Sequence, residues 1–218
     1  MTDPEHRAWS SGSYARAIHT PQHTLSLCDG EGWCFPLDLE RWCARADEAD
    51  RTVLRRCTGG VLDIGCGAGR LVEALTGRGR QVLGVDVCPS AVITTVCRGG
   101  SALSRSVFDP LPEEGRWGTA LLIDGNIGIG GDPRRLLRRV RDLVHREGLL
   151  LVETAAAEVD ERRRVRIHAG QRPVSAVFPW ALVGTAALSR HAASSGWIEA
   201  ERWTTAGGRH FVALRACR

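Results

Sequence analysis

Three glycines spaced two apart, Gly65, Gly67 and Gly69, follow an aspartate, Asp63, in the run Val61-Leu62-Asp63-Ile64. Glycine at this spacing lets the backbone turn sharply and approach a ligand that a Cβ would hold off. An apolar-periodic helix follows directly, so its unpaired N–H groups and positive dipole end face the same spot. Such a turn suits an anionic or carboxylate-bearing ligand. Three more carboxylates, Asp86, Asp109 and Asp124, stand at the ends of later apolar runs. For proton transfer near neutral pH the residue type of choice is histidine. His19 and His23 precede the turn and His168 follows it.

The elements that must position these residues are legible from periodicity. Residues 61–64, 81–86, 102–108, 119–124 and 149–153 are apolar runs of strand length. Helices are predicted over 70–76, 90–96 and 133–147. Short apolar strands alternating with amphipathic helices imply βαβ units and a parallel sheet. In the third helix Pro133 takes the first turn and Asp132 can cap it. Leu136, Leu137, Val140, Leu143 and Val144 form its apolar face, and Arg134, Arg135, Arg138, Arg139 and Arg141 its other face.

Outside that core the pattern differs. A short helix is predicted over 13–19, capped by Ser10 or Ser11. A loop carrying aromatics spans 28–36, and one helix spans 37–57, with Thr58-Gly59-Gly60 ending it. Beyond residue 153, the stretch 162–168 alternates basic and apolar residues as a half-exposed strand does. Residues 173–178 are its predicted partner, with Pro179-Trp180 ending the pair. A helix over 185–195 and an antiparallel hairpin of 197–203 with 210–215 complete the chain.

The 218 residues are 43% hydrophobic and 25% charged, the composition of a globular domain with ample core. No apolar run approaches the roughly 18 residues of a membrane span, and the first residues lack a signal-peptide pattern. A cytoplasmic protein is expected. The net charge of +4 is too small to argue for nucleic acid. All 29 basic residues are arginine, which fits codon bias in a GC-rich genome. None of the eight cysteines shows C-x-x-C or zinc-ligand spacing, so reduced, structural cysteines and no metal are expected. Cys28, Cys34 and Cys43 are the three to watch, because their segment can cover a site.

Val61-Leu62-Asp63-Ile64-Gly65-Cys66-Gly67-Ala68-Gly69-Arg70 resembles motif I of the class I S-adenosylmethionine-dependent methyltransferases. A dinucleotide-binding dehydrogenase would show G-x-G-x-x-G instead. The resemblance runs over residues 53–215. It implies a Rossmann-like doubly wound α/β sheet, mostly parallel with an antiparallel C-terminal hairpin and helices on both faces. A single domain is implied, with an N-terminal helical lid over 1–52, a cofactor core over 53–153, and insert strands, last helix and hairpin over 154–218.

Carried over by motif, Asp63 supports the loop near the methionine amino group of S-adenosylmethionine, and Gly65, Cys66 and Gly67 bring the backbone to it. Asp86 accepts from both ribose hydroxyls and Val87 packs on the adenine. Phe108 stacks, and Asp109 accepts from the adenine amino group. Asp124 and Gly125 open the fourth motif, below the sulfonium. That motif, Asp124-Gly125-Asn126-Ile127, is not the Asn-Pro-Pro-Tyr of exocyclic-nitrogen methylation, and no metal trio of the catechol type is present.

For chemistry the candidates are Asp124, Asn126, His168, His19 and His23. Tyr14, Trp33 and Trp180, with Phe35 and Trp42, are candidate walls of an acceptor pocket. The expected function is methyl transfer to a small molecule, by a monomer or homodimer without nucleic-acid or membrane partners. An RNA or protein methyltransferase and a non-catalytic cofactor-binding regulator are the alternatives.

Overall fold

The computed structural model describes residues 8–10, 12–19 and 24–217. The N-terminal part forms α1 (Gly12–His19), a hairpin of β1 (Leu25–Cys28) and β2 (Cys34–Pro36), α2 (Leu39–Cys43) and α3 (Glu48–Leu54). Then come β3 (Val61–Ile64), α4 (Arg70–Thr76), β4 (Val82–Asp86), α5 (Pro89–Cys97), β5 (Ala102–Ser104), β6 (Trp117–Leu122), a 3-10 segment (Asn126–Gly131), α6 (Pro133–Leu143) and β7 (Val144–Thr154). The chain ends with β8 (Asp160–Ala169), β9 (Arg172–Pro173), β10 (Phe178–Val183), α7 (Thr185–Ala193), β11 (Trp197–Thr204) and β12 (His210–Ala216).

Seven strands make one sheet in the order β5-β4-β3-β6-β7-β12-β11. The first five run parallel, and β12 enters antiparallel between β7 and β11. Side chains alternate across the sheet, so one run of apolar residues feeds two cores. Leu62, Ala120, Leu122, Leu150, Val152, Val212 and Leu214 pack with α6 and α7. Val61, Leu121, Leu151, Phe211 and Ala213 pack with α3 and α4. Helices therefore cover both faces, as expected of a doubly wound sheet. In α6 the predicted cap holds, the Asp132 carboxylate accepting from the N–H groups of Arg134 and Arg135.

A second, smaller sheet has the order β10-β8-β1-β2, with β9 also on β8. One face of it, through Leu25, Leu27, Val165, Ile167 and Phe178, packs on Tyr14, Ala17 and Ile18 of α1. The alternation read over 162–168 is real: Val165 and Ile167 are buried while Arg164 and Arg166 are exposed.

Several expectations need correction. Of the partner segment expected over 173–178 only the ends pair with β8, Pro173 with His168 and Phe178 with Val165; the longer pairing runs on over Phe178–Val183, so Pro179 and Trp180 lie within a strand. Proline is tolerated there because β10 is an edge strand. The helix expected over 37–57 is two helices, broken where the Asp47 carboxylate accepts from the Asp50 N–H in a capping box. Strand β5 stops at Ser104, and β7 begins at Val144 rather than after Gly148. The stretch 28–36 is a hairpin rather than a loop. Its ladder places Cys28 directly opposite Cys34 at a Cα–Cα distance of 4.2 Å, and the two form a disulfide. Direct opposition on the ladder brings the two side chains together, a pairing that only the hairpin creates. The other six cysteines are free thiols, as expected. None of the helices among the described residues is long and apolar enough to cross a membrane.

Alkylation of the denatured, unreduced protein is expected to label six cysteines, and all eight after reduction. Mass spectrometry reads this directly, and eight labels without reductant would contradict the bridge.

Candidate functional site

The carboxyl ends of the parallel strands open into a cavity of about 620 Å³, the usual place for a ligand in an open α/β sheet. The glycine turn forms its floor. Gly65 and Gly67 have φ of 73° and 54°, values that L side chains adopt with strain. The Asn126 carboxamide locks the turn from above, its Nδ2 donating to the carbonyls of Ile64 (2.9 Å) and Gly65 (3.0 Å). A Cβ at Gly65 would stand 2.5 Å from that nitrogen, so the close approach requires glycine. Asp86 braces the other side, Oδ2 accepting from Gly67 N–H (2.9 Å) and Oδ1 from Cys88 N–H (2.8 Å). Burial raises its pKa above the usual carboxylate range, against those hydrogen bonds.

Beneath the turn lies Asp63, only 2% exposed, whose Oδ2 has no hydrogen-bond partner. Burial, aided by the carboxylates of Asp124, Asp86 and Asp50 and opposed by Arg70, pushes its pKa up to about 7. A carboxyl with a raised native pKa binds its proton more tightly folded than unfolded. The stability it gives below about pH 4 is therefore lost as the pH rises through about 7.

At the end of β6 the chain turns through Asp124, a non-glycine residue at φ 60°, a conformation that costs about 1–3 kcal/mol unless its surroundings enforce it. The surroundings are ionic. Arg70 Nη1 lies 2.5 Å from Asp124 Oδ2, and Arg41 Nη1 lies 2.6 Å from Oδ1. The Asp124 N–H donates to Glu153 Oε2 at 2.8 Å. Arg70 also grips both oxygens of Asp50 at 2.9 Å. Arg209 grips both oxygens of Glu153 at 2.8 Å and reaches Asp50 at 2.9 Å. Despite complete burial of the Asp50 side chain, these guanidinium groups hold its pKa at about 2. That contribution is present above the ordinary carboxylate pKa and is lost as the pH falls toward 2.

The rest of the wall is aromatic and comes from the N-terminal part and the small sheet. Trp9, Tyr14, Trp33, Phe35, Trp42 and Trp180 all line the cavity. Trp9 sits edge-on to Tyr14 at 4.9 Å between ring centres, and Trp33 stacks parallel to Phe35 at 6.1 Å. Burial, with Asp86 nearby, raises the Tyr14 pKa well above the ordinary phenol value. Arg163 lies over the Trp33 ring, held between Glu161 (2.7 Å) and Asp29 (2.5 Å).

Most residues singled out in the sequence meet here. Gly65, Cys66, Gly67, Asp86, Val87, Asp124, Gly125 and Asn126 line the cavity, as do Tyr14, Trp33 and Trp180. Asp63 lies beneath the turn, and four others are placed elsewhere. Asp109 is exposed and Phe108 packs under Arg135 and against Gly130, while Arg105, Ser106 and Val107 face the cavity at that corner. The chain turns after β5, which carries these two side chains away from the cavity, Phe108 onto the core and Asp109 to the surface. His19 is the exposed last residue of α1, and His168 pairs with Ser26 and Pro173 away from the cavity. His23 lies outside the described residues. Sequence reading missed Arg41, Arg70, Arg209, Glu153 and His210. Arg70 follows the last motif glycine directly, a signal that was available. The others reach the cavity only through tertiary pairing.

The comparisons accord with this geometry. A family model described as a methyltransferase domain matches residues 39–181. This chain thus belongs to the methyltransferase-domain family, as an S-adenosylmethionine-dependent enzyme of class I fold. Similar solved structures include a SAM-dependent methyltransferase from Bacteroides fragilis in complex with S-adenosyl-L-homocysteine, at TM-score 0.77 and 20% identity, covering 100% of this chain and 98% of that one. The 1,6-didemethyltoxoflavin-N1-methyltransferase of Burkholderia thailandensis matches at TM-score 0.55 and 19% identity over 77% and 75% of the two chains. The glycopeptide N-methyltransferase MtfA matches at 0.58 and 17%, over 80% and 94%. No curated protein matches the sequence.

Replacing Arg70 by Met leaves Asp50 and Asp124 with fewer counter-charges in a buried site. A loss of about 3–5 kcal/mol is expected in urea unfolding. Arg70→Lys is expected to recover little of it, because one ammonium cannot reproduce two forked pairs. A separate check concerns Asp63: between pH 5 and 8 the wild-type Tm should fall relative to that of Asp63→Asn.

Proposed function

We propose that this protein moves the methyl group of S-adenosylmethionine to a small-molecule acceptor held within the covered cavity. The observation that carries the reading is the continuity of one cavity from the glycine turn and Asp86 to the aromatic wall under the small sheet. The turn end fits the cofactor. An unpartnered, buried Asp63 oxygen suits a hydrogen-bond donor such as an ammonium group or an ordered water bridging to one. Gly65 and Gly67 leave the backbone open to close approach, and a Cβ built on Gly67 would meet only the Tyr14 hydroxyl, at 3.9 Å. Asp86 keeps lone pairs for hydroxyl donors beside Val87. Asp124 and Gly125 stand between this end and the acceptor end.

Charge supports the same assignment. Asp38, Asp124 and Glu153 are paired with Arg41, Arg70 and Arg209, whereas Asp86 beside the turn and Asp63 beneath it have no arginine partner among the described residues. Such a floor favours a ligand with net positive charge, which the cofactor carries at its sulfonium and ammonium. When bound, the cofactor supplies an already activated methyl group, so the chain mainly has to align an acceptor and exclude water. Trp33, Phe35, Trp180 and Leu182 line the acceptor end and do both. A small acceptor fits an enclosed wall of this kind, and a relative of the same fold acts on 1,6-didemethyltoxoflavin. The assignment of acceptor size rests on that cover.

Calorimetry with S-adenosylhomocysteine tests the turn: Asp86→Ala should weaken binding by about 1–3 kcal/mol, and unchanged affinity would refute its role. Tritiated methyl transfer to a size-fractionated cell extract tests the acceptor. Label is expected in the low-mass fraction. Label confined to protein or RNA would overturn the small acceptor, and no label despite tight cofactor binding would sink the enzyme reading.

A further inference from the structure

His210 opens β12, pairs with Thr154 on β7 and Thr204 on β11, and lines the cavity beside Gly208 and Arg209. Its Nδ1 lies 3.2 Å from the Thr204 hydroxyl, an interaction that orients the ring and leaves Nε2 for a second partner. Because strand side chains alternate, His210 continues the row Val212–Leu214, and Arg209 turns to the opposite face toward Glu153 and Asp50.

The other ionisable groups of the wall are already engaged. Asp38 pairs with Arg41, Asp124 with Arg41 and Arg70, Glu153 with Arg209, and Glu161 with Arg163. Both Asp86 oxygens accept backbone N–H groups. Burial raises the pKa values of Tyr14 and Cys66, and Asp63 lies under the turn rather than in the wall. Among the described residues that line the cavity, His210 is the only imidazole. It stands on the strand two places from β6 in the sheet order. That separation, about 10 Å at the usual strand spacing, leaves room for an acceptor between His210 and the Asp124 corner.

We infer that His210 is the proton acceptor for the acceptor's hydroxyl or amine, an assignment that rests on the methyltransferase reading above. The acceptor heteroatom forms its new bond to the methyl carbon as the carbon–sulfur bond breaks and leaves its electron pair on sulfur. The proton of that heteroatom passes to Nε2, giving an imidazolium that later releases it to solvent. An acceptor that must lose a proton gains most from such a base. Among the charged groups on the elements around the ring are Arg209 in the β11–β12 turn, Glu153 on β7, Glu199 and Arg202 on β11, and Glu161 and Arg163 on β8. Each of these has an ion-pair partner of its own.

The test compares wild type with His210→Gln, which keeps a polar group near Thr204 but takes up no proton, and with His210→Ala. Calorimetry with S-adenosylhomocysteine and thermal melting come first, and both variants should match wild type. With tritiated cofactor and the low-mass extract fraction that wild type labels, kcat should fall at least about 100-fold in both variants, with KM changed far less. Added imidazole should restore part of the rate to His210→Ala. Wild-type rate should be lost at acid pH as the base takes up a proton, and His210→Gln should lack that dependence. Diethyl pyrocarbonate gives a readout apart from turnover: His210 of the S-adenosylhomocysteine complex should be carbethoxylated. A His210→Gln enzyme with wild-type rate and pH profile, or an unreactive His210, would overturn the inference. A wild type that binds no S-adenosylhomocysteine would instead defeat the methyltransferase reading itself.

Discussion

A carboxylate in a strained corner, shared among three guanidinium groups, is the constraint on which this site depends. Asp124 turns the chain out of β6 at φ 60°, and its oxygens are met by Arg70 from α4, Arg41 from α2 and Arg209 from the β11–β12 turn. Burying ions is expensive, and an ion pair replaced by apolar residues often leaves a protein no less stable. The return here is geometric. Each arginine brings one separate segment to the same point: the helix after the glycine turn, the cover over the cavity mouth, and the C-terminal hairpin. Asp50 and Glu153 complete the arrangement by holding the far ends of Arg70 and Arg209.

The consequence is an electrostatic site with a built-in deficit. Asp63 is buried close to this cluster and has an oxygen with no donor to meet it. A protein selected for stability alone would replace such a carboxyl. On the proposed function the missing partner is the cofactor's ammonium group or a water bridging to it.

The parts of the architecture that repeat a local rule were legible in the sequence. Strand-length apolar runs, the Pro133 start with its Asp132 cap, and the closing hairpin each follow from periodicity or backbone chemistry. The glycine turn, Asp86 and Asn126 were likewise visible, because a motif lies within a few residues of chain. What stayed hidden depends on distant pairing. Nothing around Leu25 announces that it will lie beside Ala169, and Cys28 faces Cys34 only once the hairpin forms. Phe108 and Asp109 show the converse error. Their position in the order suggested a cavity contact, but β5 ends at Ser104 and the following turn points them away. His210 escaped notice because its place depends on register with Thr154, and His168, with a similar alternating neighbourhood, faces elsewhere.

The small sheet that covers the cavity joins segments far apart in the chain, β1 lying directly against β8. During synthesis on the ribosome, the β1–β2 hairpin therefore emerges long before its other edge has a neighbour, and the backbone groups on that edge of β1 wait until Ala169 has been made. The strands from β3 to β7 can assemble in the meantime, since each finds its partners nearby in the order of translation. The nascent protein would thus own a cofactor floor before it owns a roof, and S-adenosylmethionine arriving early would meet an open shelf rather than a chamber.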